Sequence, residues 1–75
     1  MQIDKEVNAR GLNCPLPLMK TKKTLAEMQS GQVLRVTATD SGSMRDILAF
    51  TVSSGHEMLE QKIDGKDYIH TLRCK

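Results

Sequence analysis

Two thiols, Cys14 and Cys74, and two imidazoles, His56 and His70, are the groups in this 75-residue chain that could carry covalent or proton-transfer chemistry near neutral pH. Cys14 has the most suggestive surroundings, Gly11-Leu12-Asn13-Cys14-Pro15-Leu16-Pro17. Pro15 suits the first position of a helix and Pro17 the third, because NH groups of the first turn have no intrahelical partner and proline forfeits nothing there. Cys14 is then expected at the N-cap, where Ser, Thr, Asp or Asn is routine. At a helix N-terminus the partial positive charge and free NH groups stabilise a thiolate, drawing a cysteine pKa from about 8.5 into a range of roughly 3.5 to 7.5. An unperturbed cysteine is only about 3% thiolate at pH 7, whereas one of pKa about 6.5 is about three quarters thiolate.

The two prolines withhold NH groups at positions 15 and 17, leaving Leu16 and Leu18 as donors, so the expected lowering is modest. They also stiffen the first turn, which lowers the entropy lost when a partner docks. Arg10, Lys20, Lys22 and Lys23 add positive charge along the loop and helix, favouring both a thiolate and an acidic docking surface. The opposing reading is that Cys14 is a small buried apolar residue and the lysines a solvated face.

Elsewhere the chain offers little catalytic equipment. No acid or base pair stands out, and two His and two Cys at unrelated spacings do not make a zinc site, so neither metal nor cofactor is expected. Eleven Lys and Arg against nine Asp and Glu give a charge of +2, too mild for a chain that works by neutralising phosphates. Only Phe50 and Tyr68 could stack on bases. The start, Met1-Gln2-Ile3-Asp4-Lys5, lacks the pattern of a signal peptide and no apolar run is long enough for a membrane span, so a cytoplasmic protein is expected. With 39% hydrophobic and 27% charged residues the chain should fold as one domain, residues 1–75, monomeric when free, around an aliphatic core.

The elements that must position Cys14 read as follows. Residues 3 to 9 alternate, with Ile3, Val7 and Ala9 on one side, and form a strand. A loop from Arg10 to Asn13 leads to a helix with Leu18, Thr21, Leu25 and Met28 on one face, capped by Gly31. Residues 32 to 39 form a strand with Leu34, Val36 and Ala38 inward. Ser43 and Asp46 read as a capping box for a second helix, whose apolar face is Met44, Ile47, Leu48, Thr51 and Val52 and whose stop is Gly55. Two further strands, 56 to 63 with Leu59 and Ile63 and 67 to 73 with Tyr68 and Leu72, join through Asp64-Gly65. The order βαβαββ predicts a two-layer α/β sandwich, a four-stranded mixed sheet with both helices on one face. Cys74, next to the terminus, is expected to be incidental, as termini fray.

Arg10-Gly11-Leu12-Asn13-Cys14-Pro15-Leu16-Pro17, with Lys22-Lys23-Thr24-Leu25, Gly31-Gln32-Val33-Leu34, Asp40 to Ile47 and Gly55-His56, resembles the TusA/SirA-like family of small sulfur carriers over nearly the whole chain. The resemblance implies the same two-layer sandwich. It implies a motif cysteine, Cys14, that accepts sulfur as a persulfide from a cysteine desulfurase or rhodanese and passes it to an acceptor such as a DsrE/TusD-like protein. On that reading Arg10, Gly11, Pro15, Leu16 and Pro17 support the thiol, and Lys20, Lys22 and Lys23 meet the partner. The protein is then a persulfide sulfurtransferase acting as a carrier, serving tRNA thiolation or sulfur oxidation. Its motif phrases look closer to members from sulfur-oxidising bacteria. Asn8 and Ser41 depart from the family, which commonly has an acidic residue and a proline there. The rival readings are a thiol redox protein pairing Cys14 with Cys74, and a small interaction or nucleic-acid-binding regulatory module.

Overall fold

Leu34, Val36 and Ala38 alternate with Arg35 and Thr37, and in the computed structural model, which describes residues 2–75, all three have no exposed surface. The first strand is β1 (Lys5–Ala9), followed by α1 (Leu16–Ala26) and β2 (Val33–Ala38), which carries those three residues. Then come α2 (Ser43–Ser54), β3 (Glu57–Asp64) and β4 (Asp67–Arg73). The sheet order is β1-β2-β4-β3. β1 pairs parallel to β2, placing Val7 opposite Val36, and β4 lies antiparallel to both β2 and β3. The expected βαβαββ sandwich with a mixed four-stranded sheet is thus the observed fold.

Alternation sends one side of every strand toward the helices. Ala9, Leu34, Val36, Ala38 and Leu72 from the sheet meet Leu25 of α1 and Ile47 of α2 in one core. On the other face of the sheet lie cross-strand ion pairs, Arg35 with Glu6 at 2.9 Å and Arg73 with Glu57 at 2.6 Å. Exposed pairs of this kind add at most about 1 kcal/mol each. They do leave that face charged, and the apolar weight sits under the helices.

Several local expectations need correction. β1 begins at Lys5 rather than Ile3. Gly31 does not cap α1: Glu27 does, and Gly31, at φ 87°, turns the chain into β2. The face of α1 that is fully buried is Pro17, Thr21 and Leu25, with Leu18 and Met28 packed at its edge. The face of α2 is Ser43, Ile47 and Thr51, while Leu48 and Val52 are 41% and 78% exposed. Threonine on a buried helical face is tolerated because its hydroxyl bonds back to the preceding turn, as Thr21 does to Pro17 O at 2.8 Å and Thr51 to Leu48 O at 2.7 Å. In β3 an irregularity between Met58 and Glu60 puts Met58, Gln61 and Ile63 opposite Leu72, His70 and Tyr68, so Met58 and not Leu59 shares the helix-facing side with Ile63. Ile63 is 62% exposed.

The Ser43–Asp46 capping box does not form. Gly42 is the N-cap of α2 with no side-chain cap bond, because both side chains are engaged elsewhere. Ser43 Oγ lies 3.0 Å from Nε2 of His70, a fully buried residue of β4. On the other side of the ring, Gln61 Nε2 lies 3.1 Å from His70 Nδ1 and donates to Met44 O at 2.9 Å. The amide nitrogen can only donate, so Nδ1 accepts and the ring carries its proton on Nε2, facing Ser43. Both ring nitrogens are thereby satisfied by a neutral imidazole, and burial lowers the His70 pKa from 6.5 to about 4.

A pH dependence follows. The unfolded chain takes up the His70 proton below about pH 6.5 and the folded one only near pH 4, so stability is intact above that window and falls as pH drops through it. The full loss is roughly 3 kcal/mol. Urea unfolding followed at several pH values should show the midpoint falling across this window. His70→Gln should be less stable near neutrality yet lack that part of the decline; an equally steep decline in the variant would contradict the assignment.

Candidate functional site

The two helices begin at the same end of the sheet, and Cys14 lies there. The loop from Arg10 to Cys14 is fixed before the helix begins. Gly11, at φ 80°, adopts a left-handed conformation that glycine tolerates, and its NH bonds Thr39 Oγ1 at 2.9 Å. Arg10 reaches Asp67 of β4 at 3.2 Å and Asn8 Oδ1 at 3.2 Å, so it ties the loop to the sheet and is paired away from the thiol. Leu12 packs against the core.

Cys14 is not the N-cap. That position is Pro15, α1 starts at Leu16, and Pro17 is its second residue, so the thiol stands one residue before the cap. The Cys14–Pro15 peptide bond is cis. From this place the side chain turns to the other helix, where its Sγ–H donates to Asp46 Oδ2 at 2.9 Å. Beside them a Cβ at Gly42 would crowd the Asp40 carboxylate, at 3.0 Å from Oδ2, while meeting Cys14 Cβ at an ordinary 4.0 Å. Asp40 Oδ2 is buried and has no hydrogen-bond partner among the described residues.

The electrostatics reverse the expectation from the helix N-terminus. The Cys14 pKa is raised, above all by the hydrogen bond to Asp46, then by partial desolvation and the negative charges of Asp46 and Asp40; Arg45 opposes them. The Asp46 carboxyl is correspondingly lowered, first by the bond from Cys14 and further by Arg45, whose Nε lies 3.5 Å from Oδ1. A carboxylate facing the sulfur outweighs a helix terminus whose first turn is short of NH donors.

Sequence reasoning misses Asp46 as a partner because its spacing from Ser43 looks like a local cap, while Cys14 lies 32 residues away in sequence. The remaining residues scatter. Leu16 is 45% and Met19 55% exposed, beside a buried Pro17. Lys20 and Lys23 border a shallow hollow against β1 with Glu6 and Glu27, whereas Lys22 Nζ sits 5.3 Å from the Phe50 ring centre on the α2 side. His56 precedes β3 rather than lying in it, and its pKa is lowered by burial and then by Lys75. Among the described residues no group of His, Cys, Asp and Glu side chains converges as a metal site would. None of their helices is long and apolar enough to cross a membrane.

Cys74 is not a frayed terminal residue. It is 6% exposed, belongs to the core, and its backbone bonds Gln32 O and Gly31 N at 2.8 Å. Its Sγ faces Leu25 O and Met28 O at the C-terminal end of α1, 3.8 and 4.0 Å away. Eleven helical residues, about 16 Å of rise, separate that end from Cys14, far beyond disulfide reach. The pairing of Cys14 with Cys74 is therefore set aside. A hollow of about 520 Å³ between Leu25, Met28, Phe50, His56 and Cys74 also lies at this far pole and not at Cys14.

Among the described residues one thiol, Cys14, is exposed, and it stands where the two helices begin. The chain belongs to the family described as Sulfurtransferase TusA, which it matches over residues 5–74. It is 55% identical over 62 residues to the sulfur carrier protein TusA of Allochromatium vinosum, covering 83% of this chain and 82% of that one. It is 48% identical over 65 residues to the putative sulfur carrier protein YrkI of Bacillus subtilis, covering 87% of each. Its fold matches the crystal structure of a SirA-like protein from Desulfitobacterium hafniense with a TM-score of 0.82 at 25% identity, over 92% of this chain and 95% of that one.

The two thiols should separate cleanly in a labelling experiment. Brief alkylation of the native protein, read by intact mass, should give a single adduct on Cys14, and the second should appear only in denaturant, since Cys74 is buried. Rapid double labelling of the native protein would contradict the placement of Cys74.

Proposed function

We propose that this protein carries sulfur as a persulfide on Cys14, taking it from a donor protein and yielding it to an acceptor. The observation that carries the reading is that Cys14 is exposed where the helices begin while Cys74 is buried at the far pole. Membership of the TusA family and likeness to proteins named as sulfur carriers support it.

The chemistry is two exchanges at sulfur. In the first, Cys14 Sγ attacks the terminal sulfur of a donor persulfide; the donor S–S bond breaks, a new one forms on Cys14, and the donor sulfur leaves as a thiolate that ends with the Cys14 proton. In the second, an acceptor thiolate attacks the terminal sulfur on Cys14, which departs as its own thiolate. Sulfane sulfur moves and nothing is oxidised overall. A cysteine desulfurase or a rhodanese fits the donor role and a DsrE/TusD-like protein the acceptor role, within a relay for tRNA thiolation or sulfur oxidation in the cytoplasm. Arg10 and Gly11 hold the loop, Pro15, Leu16 and Pro17 form the rigid shoulder beside the thiol, and Lys20 and Lys23 on the β1 side of α1 with Lys22 on its α2 side offer positive charge to an acidic partner.

Incubation with a cysteine desulfurase and cysteine, or with a rhodanese and thiosulfate, should add one sulfur to the intact mass, removable by reductant. Cys14→Ser should fold normally and gain none. A gain that survives in Cys14→Ser would move the site elsewhere, and no gain from either donor would sink the carrier reading.

A further inference from the structure

We propose that Asp46 is a latch on the transfer cysteine, accepting the Sγ–H bond so that Cys14 rests as a thiol turned against α2 until that bond is displaced. The inference rests on Cys14 being the sulfur-carrying residue and assigns Asp46 as the positioning residue that controls it.

The geometry is specific. Asp46 sits in the first turn of α2, where a carboxylate is favoured by the unpaired NH groups and the helix dipole. The turn before it is anchored from below, through Ser43 to His70 and through Met44 O to Gln61, so its position is set by the sheet. Cys14 is set independently by its loop, held to Thr39 through Gly11 and to Asp67 through Arg10. Two separately braced groups therefore meet at 2.9 Å.

The charged groups facing Cys14 are Asp46 and Arg45 from α2 and Asp40 from the turn before it. The first turn of α1 brings no charge, and Arg10 of the cysteine's own loop is engaged with Asp67. A thiolate would face two carboxylates and lose a hydrogen bond in which it was the donor, whereas the thiol keeps that bond. Asp46 is a poor proton acceptor for the same reason, since its carboxyl is held below the usual range and the thiol above it. It restrains the proton rather than removing it. Release requires something that competes for the carboxylate, and a cation does so electrostatically. Arg45, 84% exposed and 3.5 Å from Oδ1, already lies on that side of the group.

The test is the pH profile of Cys14 alkylation by iodoacetamide, followed by intact mass on the whole protein and on Asp46→Asn and Arg45→Ala. Asp46→Asn should lower the midpoint and speed labelling several-fold near neutrality, because a midpoint lower by about one pH unit means about tenfold more thiolate there. Arg45→Ala should move the midpoint up, and Asp46→Glu, which restores the charge, should return it toward the wild type. An unchanged or raised midpoint in Asp46→Asn overturns the latch. If that variant does not fold, the exposed Arg45→Ala decides alone, and a midpoint that fails to rise overturns it. Loading by a cysteine desulfurase with cysteine or a rhodanese with thiosulfate, read in the same samples, separates the two claims. Altered profiles without sulfur uptake keep the latch and defeat the carrier reading; sulfur uptake on Cys14 with unaltered profiles does the reverse.

Discussion

The parallel pairing of β1 with β2 is the constraint from which the site follows. A helix joining parallel strands must run back against them, so α1 begins beyond the C-terminal end of β1. β4 lies antiparallel to both β2 and β3, which makes β3 parallel to β2 although β4 separates them, and α2 must begin beyond the C-terminal end of β2 for the same reason. Both helix starts are thereby delivered to one end of the molecule. Cys14 stands just before one of them and Asp46 within the first turn of the other.

What turns this proximity into a defined contact is a buried polar cluster rather than the aliphatic core. Leu25, Ile47 and Leu72 would hold the layers together over a range of small slides, because apolar packing has no direction of its own. Ser43, His70 and Gln61 do not allow that freedom. A buried imidazole with an unmet nitrogen is costly, so the cluster is favourable only where both nitrogens are met, and meeting them fixes the height of the first turn of α2 over the sheet. His70, which the sequence places far from Cys14, thus helps to decide where Asp46 meets the thiol without touching either.

Element order, the inward triad Leu34, Val36 and Ala38, the stop at Gly55 and the exposed cysteine loop are all legible in the sequence, because each rests on local periodicity or turn chemistry. The misreadings share a physical origin. Ser43 and Asp46 have capping-box spacing, and spacing cannot reveal that a histidine 27 residues on and a cysteine 32 residues back compete for the same side chains. Leu59 keeps strict alternation with Ile63, but a bulge in β3 breaks the count and gives its inward place to Met58. Leu48 and Val52 look inward on a helical wheel, yet Thr51 takes the core position because its hydroxyl is satisfied within its own helix. Fraying is the expectation for Cys74 beside a terminus, but pairing of the chain with Gly31 and Gln32 carries it into the core.

The raised thiol pKa bears differently on the two halves of a sulfur relay. Thiolate nucleophilicity rises with pKa while the thiolate fraction falls, so a latched cysteine is a scarce but strong attacker. As a leaving group the order inverts, for a sulfur of high pKa departs slowly. On the proposed carrier role, this resting environment slows the surrender of sulfur to stray thiols, and a cation that offsets Asp46 and Asp40 quickens both steps. The attacking step gains thiolate and the departing step gains a better leaving group from the same change. In that proposed role, one electrostatic adjustment at Asp46 and Asp40 would serve loading and unloading alike and tie both to the approach of a partner's cation.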